Sequence, residues 1–219
     1  MQTHVVETTV YTLEELKAMH PEAYDKAIQN TLTWANEWPH LNTDLTEQLT
    51  ESITYYGEPV VTGGTVTEWG HYRGELKFEY EIDLVALLRK EKLAAKYRSL
   101  YNFLTSPELG VSSTVNGKTE RRYRDSYPVD NSIFDDLYGE IDYLYGNYNN
   151  ATPDEARHKR LCGQVALLES SVQEWVQHVG RELWRMIGAQ IDYWYSDEFA
   201  VEEAEAQELE YTEEGELYH

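Results

Sequence analysis

The sequence predicts an α+β fold in which a small antiparallel sheet is packed by several helices, with a helix-rich C-terminal half. Residues 75–82 alternate strictly between apolar and charged side chains, which is typical of a strand with one buried face. Much of the remaining chain places apolar residues three or four positions apart, which is typical of amphipathic helices. The two periods together indicate the mixed class.

The N-terminal part is predicted to hold a short strand and three helices. Residues 5–11 are rich in β-branched side chains and favour a strand. Thr12 and Glu15 have the spacing of a capping box, so a helix is expected to begin there. Pro21 suits the first turn of a second helix. A third helix is expected over residues 43–56, where leucine and isoleucine recur on one face.

A sheet is predicted for residues 59–82. Gly63-Gly64 and the segment Gly70–Gly74 are predicted hairpin turns, because glycine suits the positive φ angles of tight turns. One helix is then expected over residues 83–105. Residues 106–130 hold prolines and glycines and are expected to form a loop or irregular β structure.

The C-terminal half is predicted to be mainly helical. A short aromatic helix is expected over residues 132–147, followed by a turn over residues 147–152. The threonine that ends this turn caps the longest predicted helix, and Pro153 occupies its first position. The helix is expected to run to about residue 195. Because some forty residues exceed the usual length of a globular helix, a break near Gly180 or Gly188 is expected.

Three sequence ranges are predicted to form one compact domain. They are an α+β region with the antiparallel sheet (1–105), an irregular region with a short helix (106–152), and the long helix with an acidic C-terminal segment (153–219). Two structures are expected equally for the acidic C-terminal end. One is a small hairpin that turns at residues 213–215, and the other is a partly disordered tail.

Charge is the most unusual property of the composition. The 219 residues include 40 acidic and 18 basic side chains, a net charge of −22 at pH 7. Two segments have no basic residue: residues 126–156 carry 7 acids and residues 192–219 carry 11. This balance disfavours nucleic acids and anionic membranes as direct partners and favours a basic protein. An acidic surface that serves solubility alone is the simpler alternative.

The sequence indicates the cytoplasm as the compartment. Cys162 is the single cysteine, so no intrachain disulfide can form, which fits a reducing environment. The N-terminus lacks the basic and apolar regions of a signal peptide. No stretch of about 18 apolar residues is present to span a membrane.

Sequence motifs give little support to catalysis. The chain has no phosphate loop, GxSxG, HExxH or CxxC motif. His158 and Cys162 are four residues apart and could begin a metal site, but no second cysteine exists, so no metal and no cofactor are expected. Adjacent carboxylates could act as a catalytic acid and base. Among 40 acidic residues such pairs arise by chance, so they are no evidence for catalysis. Lys118, Arg121, Arg122 and Arg124 lie close together in the sequence, as a nucleic-acid-binding patch would require. Because the chain is strongly acidic, internal pairing with the acidic segments or a solvated loop is preferred.

The acidic segments with their tyrosines are the predicted binding surface. Carboxylates would pair with lysine and arginine of the partner, and tyrosine rings would supply contact area. The candidate residues on the short aromatic helix are Asp135, Asp136, Tyr138, Glu140, Asp142 and Tyr143. Those near the C-terminus are Glu202, Glu203, Glu205, Glu208, Glu210 and Tyr211.

Three patches carry a resemblance to a known family. They are Tyr11–Leu16 followed by Ala23–Ile28, the strand Glu75–Ile82, and the ending Glu210–Tyr218. This pattern resembles a family of small phage and prophage proteins labelled antitoxin of a toxin–antitoxin stability system. The resemblance implies a neutraliser of a host or plasmid toxin and transfers no functional residues. By analogy, the chain also looks like the anti-restriction and anti-CRISPR inhibitors of phages, some of which mimic DNA.

The sequence is therefore compatible with three functions. The first is a phage-encoded inhibitor that binds and occludes a basic, nucleic-acid-handling host defence protein in the host cytoplasm. The second is an antitoxin that recognises a protein toxin by shape. The third, least favoured, is an enzyme acting on a nucleotide or small signal molecule, which would need a pocket with convergent carboxylates of perturbed pKa.

Overall fold

The computed structural model describes residues 9–37, 39–71, 73–107, 110–122, 125–146 and 154–218. The helices described there are α1 (Leu13–Met19), α2 (Pro21–Asn36), α3 (Pro39–Gly57), α4 (Leu84–Lys90), α5 (Arg98–Leu104), α6 (Asp135–Tyr145), α7 (Glu155–Trp194) and α8 (Asp197–Ala206), and the strands are β1 (Val61–Gly70), β2 (Glu75–Asp83) and β3 (Thr114–Glu120). A short 3-10 turn, Asn131–Phe134, leads into α6. The predicted α+β class with a small sheet and a helix-rich C-terminal half is confirmed.

The chain divides into two compact units. Unit 1 comprises Met1–Asp44 and Ile187–His219, and unit 2 comprises Leu45–Met186. Helices α1, α2 and α8 belong to unit 1, whereas the sheet, α4, α5 and α6 belong to unit 2. Helices α3 and α7 have residues in both. The predicted division into residues 1–105, 106–152 and 153–219 within one compact domain stays a prediction. A compact unit need not be a domain that folds alone, so the two units do not decide it.

The sheet of unit 2 has the strand order β1-β2-β3, and both pairings are antiparallel. The alternation predicted for β2 is confirmed: the apolar residues Leu76, Phe78, Tyr80 and Ile82 are all buried. β3 lies in the range that was expected to be a loop or irregular β structure. It has glycine and charged residues in place of an apolar alternation, so its pairing with β2 defines it as a strand.

One of the two predicted hairpin turns is wrong. Gly63 and Gly64 lie inside β1, opposite Glu81 and Tyr80. A Cβ at Gly64 would stand 2.8 Å from a side-chain carbon of Ile53, so glycine here permits the close approach of α3 to the strand. The other prediction is confirmed, since the chain turns between β1 and β2 and Gly74 has φ +68°.

The single helix expected over residues 83–105 is also wrong, because the chain forms α4 and α5 with a break between them. Asp83 caps α4 by accepting hydrogen bonds from two backbone N–H groups at 2.8 and 3.1 Å. The helix ends where Lys92 adopts φ +56° and the N–H of Leu93 donates to the carbonyl of Leu88. This left-handed C-terminal cap is a backbone motif that side-chain periodicity does not reveal.

Helix α7 runs for 40 residues as one element, so the expected break near Gly180 or Gly188 is wrong. At Gly180 a Cβ would lie 2.6 Å from the ring of Tyr127, so this glycine makes room for a neighbouring aromatic ring. The start of α7 predicted at Thr152 and Pro153, and the turn over residues 147–152, lie outside the described residues. So does most of the strand predicted over residues 5–11.

The predicted N-terminal helices are confirmed in unit 1. Thr12 and Glu15 form the capping box of α1, and α2 begins at Pro21. Of the two alternatives for the chain end, the hairpin is present: Tyr211 pairs with Leu217 across a turn in which Gly215 has φ +78°. A Cβ at Gly215 would lie 2.4 Å from the carbonyl oxygen of Ala23, so the turn packs directly on α2.

Candidate functional site

The excess negative charge of the protein is concentrated in unit 1. Its residues include 18 acids and 2 lysines, a net charge of −16, whereas unit 2 has 22 acids and 16 bases. One of the two lysines, Lys26, pairs with Glu216 at 2.5 Å, and its ammonium group lowers the pKa of that carboxyl. The acids of unit 1 therefore cannot be neutralised by its own cations.

A groove of about 610 Å³ is formed within unit 1 by α1, α2, α8 and the segment after α8. Its deeper residues are apolar, since Leu13 and Ala204 are buried and Val201 and Leu209 are half-buried. Its exposed side chains are mostly acidic. The full lining is Thr12, Leu13, Glu14, Lys17, Tyr24, Val201, Ala204, Glu205, Glu208, Leu209 and Glu210.

Backbone pairing at the edge of the groove joins its two distant parts. Tyr11 and Tyr211 exchange two N–H···O=C hydrogen bonds, each 2.9 Å long. Tyr11 directly precedes the α1 side of the groove, and Tyr211 directly follows Glu210. The pairing therefore places the glutamates of the chain end opposite Glu14, which is some 200 residues away in sequence.

A left-handed cap holds one of these glutamates in place. At the end of α8 the N–H of Leu209 donates to the carbonyl of Ala204 at 2.9 Å, and the N–H of Glu208 donates to Glu205 at 3.3 Å. Glu208 has φ +52°. Glycine usually occupies this position, because a side chain there costs about 1–2 kcal/mol. The cap therefore holds Glu208 in a strained backbone conformation beside the groove.

Replacing Glu208 by glycine is expected to stabilise the protein. Relief of the left-handed strain should contribute about 1 kcal/mol, or roughly 2–4 °C in Tm. Lys92→Gly is the matched control, since Lys92 occupies the same cap position after α4 in unit 2. Thermal unfolding should show a similar gain for both variants. A loss of stability in Glu208→Gly would contradict this account of the cap.

Three of the predicted C-terminal residues, Glu205, Glu208 and Glu210, come together in the groove. The other two acids, Glu202 and Glu203, lie on α8 outside its lining. Glu202 accepts a hydrogen bond from the Tyr193 hydroxyl, which is the main cause that raises the pKa of Tyr193 to about 12. Glu203 accepts a bond from the side chain of Gln207 at 3.2 Å.

Tyr211 is placed in the core of unit 1, not on its surface. Its side chain is completely buried, and its hydroxyl lies 2.6 Å from that of Thr31, which is also buried. The Thr31 hydroxyl donates to the carbonyl of Ala27, so its oxygen accepts the proton of Tyr211. The ring therefore fixes the end of the groove and offers no contact area to a partner.

The predicted residues of α6 lie in unit 2 and have mixed environments. Asp135, Asp136 and Tyr143 are exposed. The others make contacts within the unit: Glu140 accepts a hydrogen bond from the N–H of Gly110, Tyr138 donates to Glu169, and Asp142 contacts the ring of His158.

Sequence reasoning missed the N-terminal residues of the groove, above all Leu13, Glu14 and Tyr24. Glu14 is adjacent to the capping box of α1, and nothing in its local sequence distinguishes it from other exposed helix residues. Only the pairing of Tyr11 with Tyr211 reveals its place.

Of the predicted basic cluster, Arg121 is occupied by internal contacts, whereas Lys118 and Arg122 are exposed. The guanidinium of Arg121 lies 3.8 Å from the ring centre of Trp184, donates to the carbonyl of Gly74 at 2.8 Å, and pairs with Asp125. Arg124 lies outside the described residues. These contacts favour the interpretation that Arg121 stabilises unit 2.

Side chains able to bind a metal come together elsewhere in unit 2, where Asp142 on α6 meets His158 and Cys162 on α7. Within the part of the chain that the structure describes, no helix is both long and apolar enough to cross a membrane.

Compared with protein-family models, curated proteins and solved structures, the chain matches none.

Proposed function

We propose that this protein is a cytoplasmic inhibitor that binds a basic, nucleic-acid-handling protein by taking a basic segment of it into the groove of unit 1. The observation that carries the proposal is the composition of the groove: an apolar floor with four glutamates (Glu14, Glu205 and the two that follow α8) against one lysine, Lys17, in a unit with a net charge of −16.

The groove has the chemistry that a segment rich in lysine and arginine needs. Long basic side chains can lay their methylene stems against Leu13, Val201 and Leu209 while their charged ends reach the glutamates. The volume of about 610 Å³ is within the range of about 300–1,000 Å³ that is usual for binding pockets. The surrounding charge would accelerate association with a basic partner.

Charge density supports occlusion of a nucleic-acid-binding surface. Duplex DNA carries one charge per about 1.7 Å of axis, so 16 surplus charges correspond to about 27 Å of duplex. A compact body with the number of residues in unit 1 has a radius of gyration of about 11 Å. Unit 1 therefore carries charge at a density near that of DNA, as a DNA mimic requires. Inhibition of a host defence protein by a phage-encoded protein would fit this activity and is supported by the family resemblance and by analogy.

The alternative is an antitoxin that holds a segment of a toxin by shape, and the apolar floor of the same groove favours it. The two functions differ in their salt dependence, because ion pairs at a surface are screened by salt and apolar contacts are not.

The test is retention of host proteins on the immobilised full-length protein at low and at high ionic strength. The inhibitor should retain a basic protein at low salt, and its affinity for the purified partner should fall by about tenfold or more at high salt. The purified partner should also lose its nucleic-acid binding when the protein is added. Salt-insensitive binding to a partner that never handles nucleic acid would support the antitoxin and refute the inhibitor.

A further inference from the structure

A cluster of three unlike side chains lies between α6 and α7 in unit 2. His158 and Cys162 are four residues apart on α7, so they project from the same face of the helix. Asp142 reaches them from α6. One donor atom from each residue, a carboxylate oxygen, an imidazole nitrogen and the thiol sulfur, lies within 4.8 Å of the other two.

Contacts on both sides of the cluster hold the two helices in place. On one side, the guanidinium of Arg157 lies 4.3 Å from the ring centre of Tyr145. On the other side, the hydroxyl of Tyr138 donates to Glu169 at 2.8 Å. The pairs show that α6 runs antiparallel to this part of α7, so the helix backbones bring the three donors together without help from a ligand.

The three donor atoms lie close together. Nε2 of His158 lies 3.8 Å from Sγ of Cys162, and the carboxylate of Asp142 contacts the same nitrogen. In a tetrahedral zinc site with Zn–S near 2.3 Å and Zn–N near 2.0–2.1 Å, the sulfur and nitrogen are about 3.6 Å apart. The observed separation is therefore close to what one shared ion requires.

The same geometry argues against a catalytic relay. In a nucleophile–histidine–carboxylate relay, the nucleophile and the carboxylate contact opposite nitrogens of the imidazole ring. Here both face Nε2.

We propose that Asp142, His158 and Cys162 bind one Zn²⁺ ion. Sulfur and imidazole donors favour zinc over magnesium or calcium, which prefer oxygen ligands alone. The ion would replace the Asp142–His158 hydrogen bond and displace the protons of Nε2 and the thiol. The side chains of Asp142 and His158 are 53% and 32% exposed, so a fourth coordination position faces solvent and takes a water molecule.

The test is a titration of the chelator-treated full-length protein with Co²⁺, followed by displacement with Zn²⁺. A cobalt–thiolate bond gives an ultraviolet charge-transfer band, and because Cys162 is the single cysteine, any such band reports this site. The expected result is a band that saturates at one Co²⁺ per chain and is abolished by Zn²⁺. No band, or zinc binding without one, overturns the proposal.

Variants identify the ligands against the background of 7 histidines and 40 acids. Cys162→Ser should abolish the band, and His158→Gln and Asp142→Asn should each weaken binding by about 100-fold or more, since loss of an outer-shell partner alone costs about 10–100-fold. His178→Gln on α7 and Asp136→Asn on α6 make the same changes outside the cluster and should bind Co²⁺ normally. Circular dichroism checks that each variant folds. Unchanged binding in folded His158→Gln or Asp142→Asn overturns the three-ligand site.

Discussion

Replacing Tyr211 by alanine is expected to lower the free energy of unfolding by about 3–5 kcal/mol, the usual cost of removing a large aromatic side chain from a core. The ring is completely buried, and its hydroxyl donates to the buried Thr31. Its loss should also release the chain end, since Tyr211 carries the backbone pairing with Tyr11. The measurement is urea denaturation, with hydrogen exchange of amides in α1, α2 and α8 to locate the effect in unit 1.

Two further variants separate core packing from other causes. Tyr211→Phe keeps the ring and loses one hydrogen bond, so a loss of about 1 kcal/mol is expected. Tyr218→Ala removes a tyrosine from the same chain end whose side chain is 49% exposed, and a change within about 0.5 kcal/mol is expected. If Tyr211→Ala were as mild as Tyr218→Ala, the chain end would not be packed as described.

The sequence predicted those elements whose signal is local. The capping box of α1, the proline that begins α2 and the alternation in β2 each depend on residues within a few positions of one another. Such signals report backbone preferences that act before any tertiary contact forms. This is why the fold class was predictable.

The failed predictions concern glycines and helix ends, where the deciding contact is distant or lies in the backbone. The sequence predicts a turn at Gly64 and a helix break near Gly180. Instead, Gly64 permits the close approach of α3, and Gly180 permits the close approach of the Tyr127 ring. The break between α4 and α5 depends on Lys92 in a left-handed conformation, which the residue type does not favour.

The candidate site was predictable only in part for the same reason. Glu205, Glu208 and Glu210 stood out because their segment has no basic residue. Their apolar neighbours on α1 could not be identified, because the groove exists only once residues some 200 positions apart have paired. Tyr211 is predicted as a contact residue because tyrosine is common at interfaces. Tyrosine is also common in cores where its hydroxyl has a hydrogen-bond partner, and the buried side chain of Tyr211 is of this second kind.

Replacing Glu205, Glu208 and Glu210 together by glutamine is expected to weaken binding of the basic partner by about 10- to 100-fold at low salt. Each exposed ion pair contributes roughly 0.5–1 kcal/mol, and the three act on one bound segment. Glutamine keeps the size of the side chain, so the apolar floor is unchanged. Isothermal titration calorimetry with the purified partner, at low and high salt, measures the loss and its disappearance as salt increases.

The decisive control changes the net charge by the same amount elsewhere in unit 1. Glu37, Glu198 and Glu214 are exposed and lie outside the groove lining. If a basic segment sits in the groove, the control triple variant should bind with nearly wild-type affinity at about 0.1–0.15 M salt, because its charges lie outside the groove and are screened there over about 8–10 Å. Equal losses in both variants would mean that the partner responds to overall charge and not to the groove. A lower affinity in the groove variant than in the control variant would show that binding depends on where the charges lie and not only on their number.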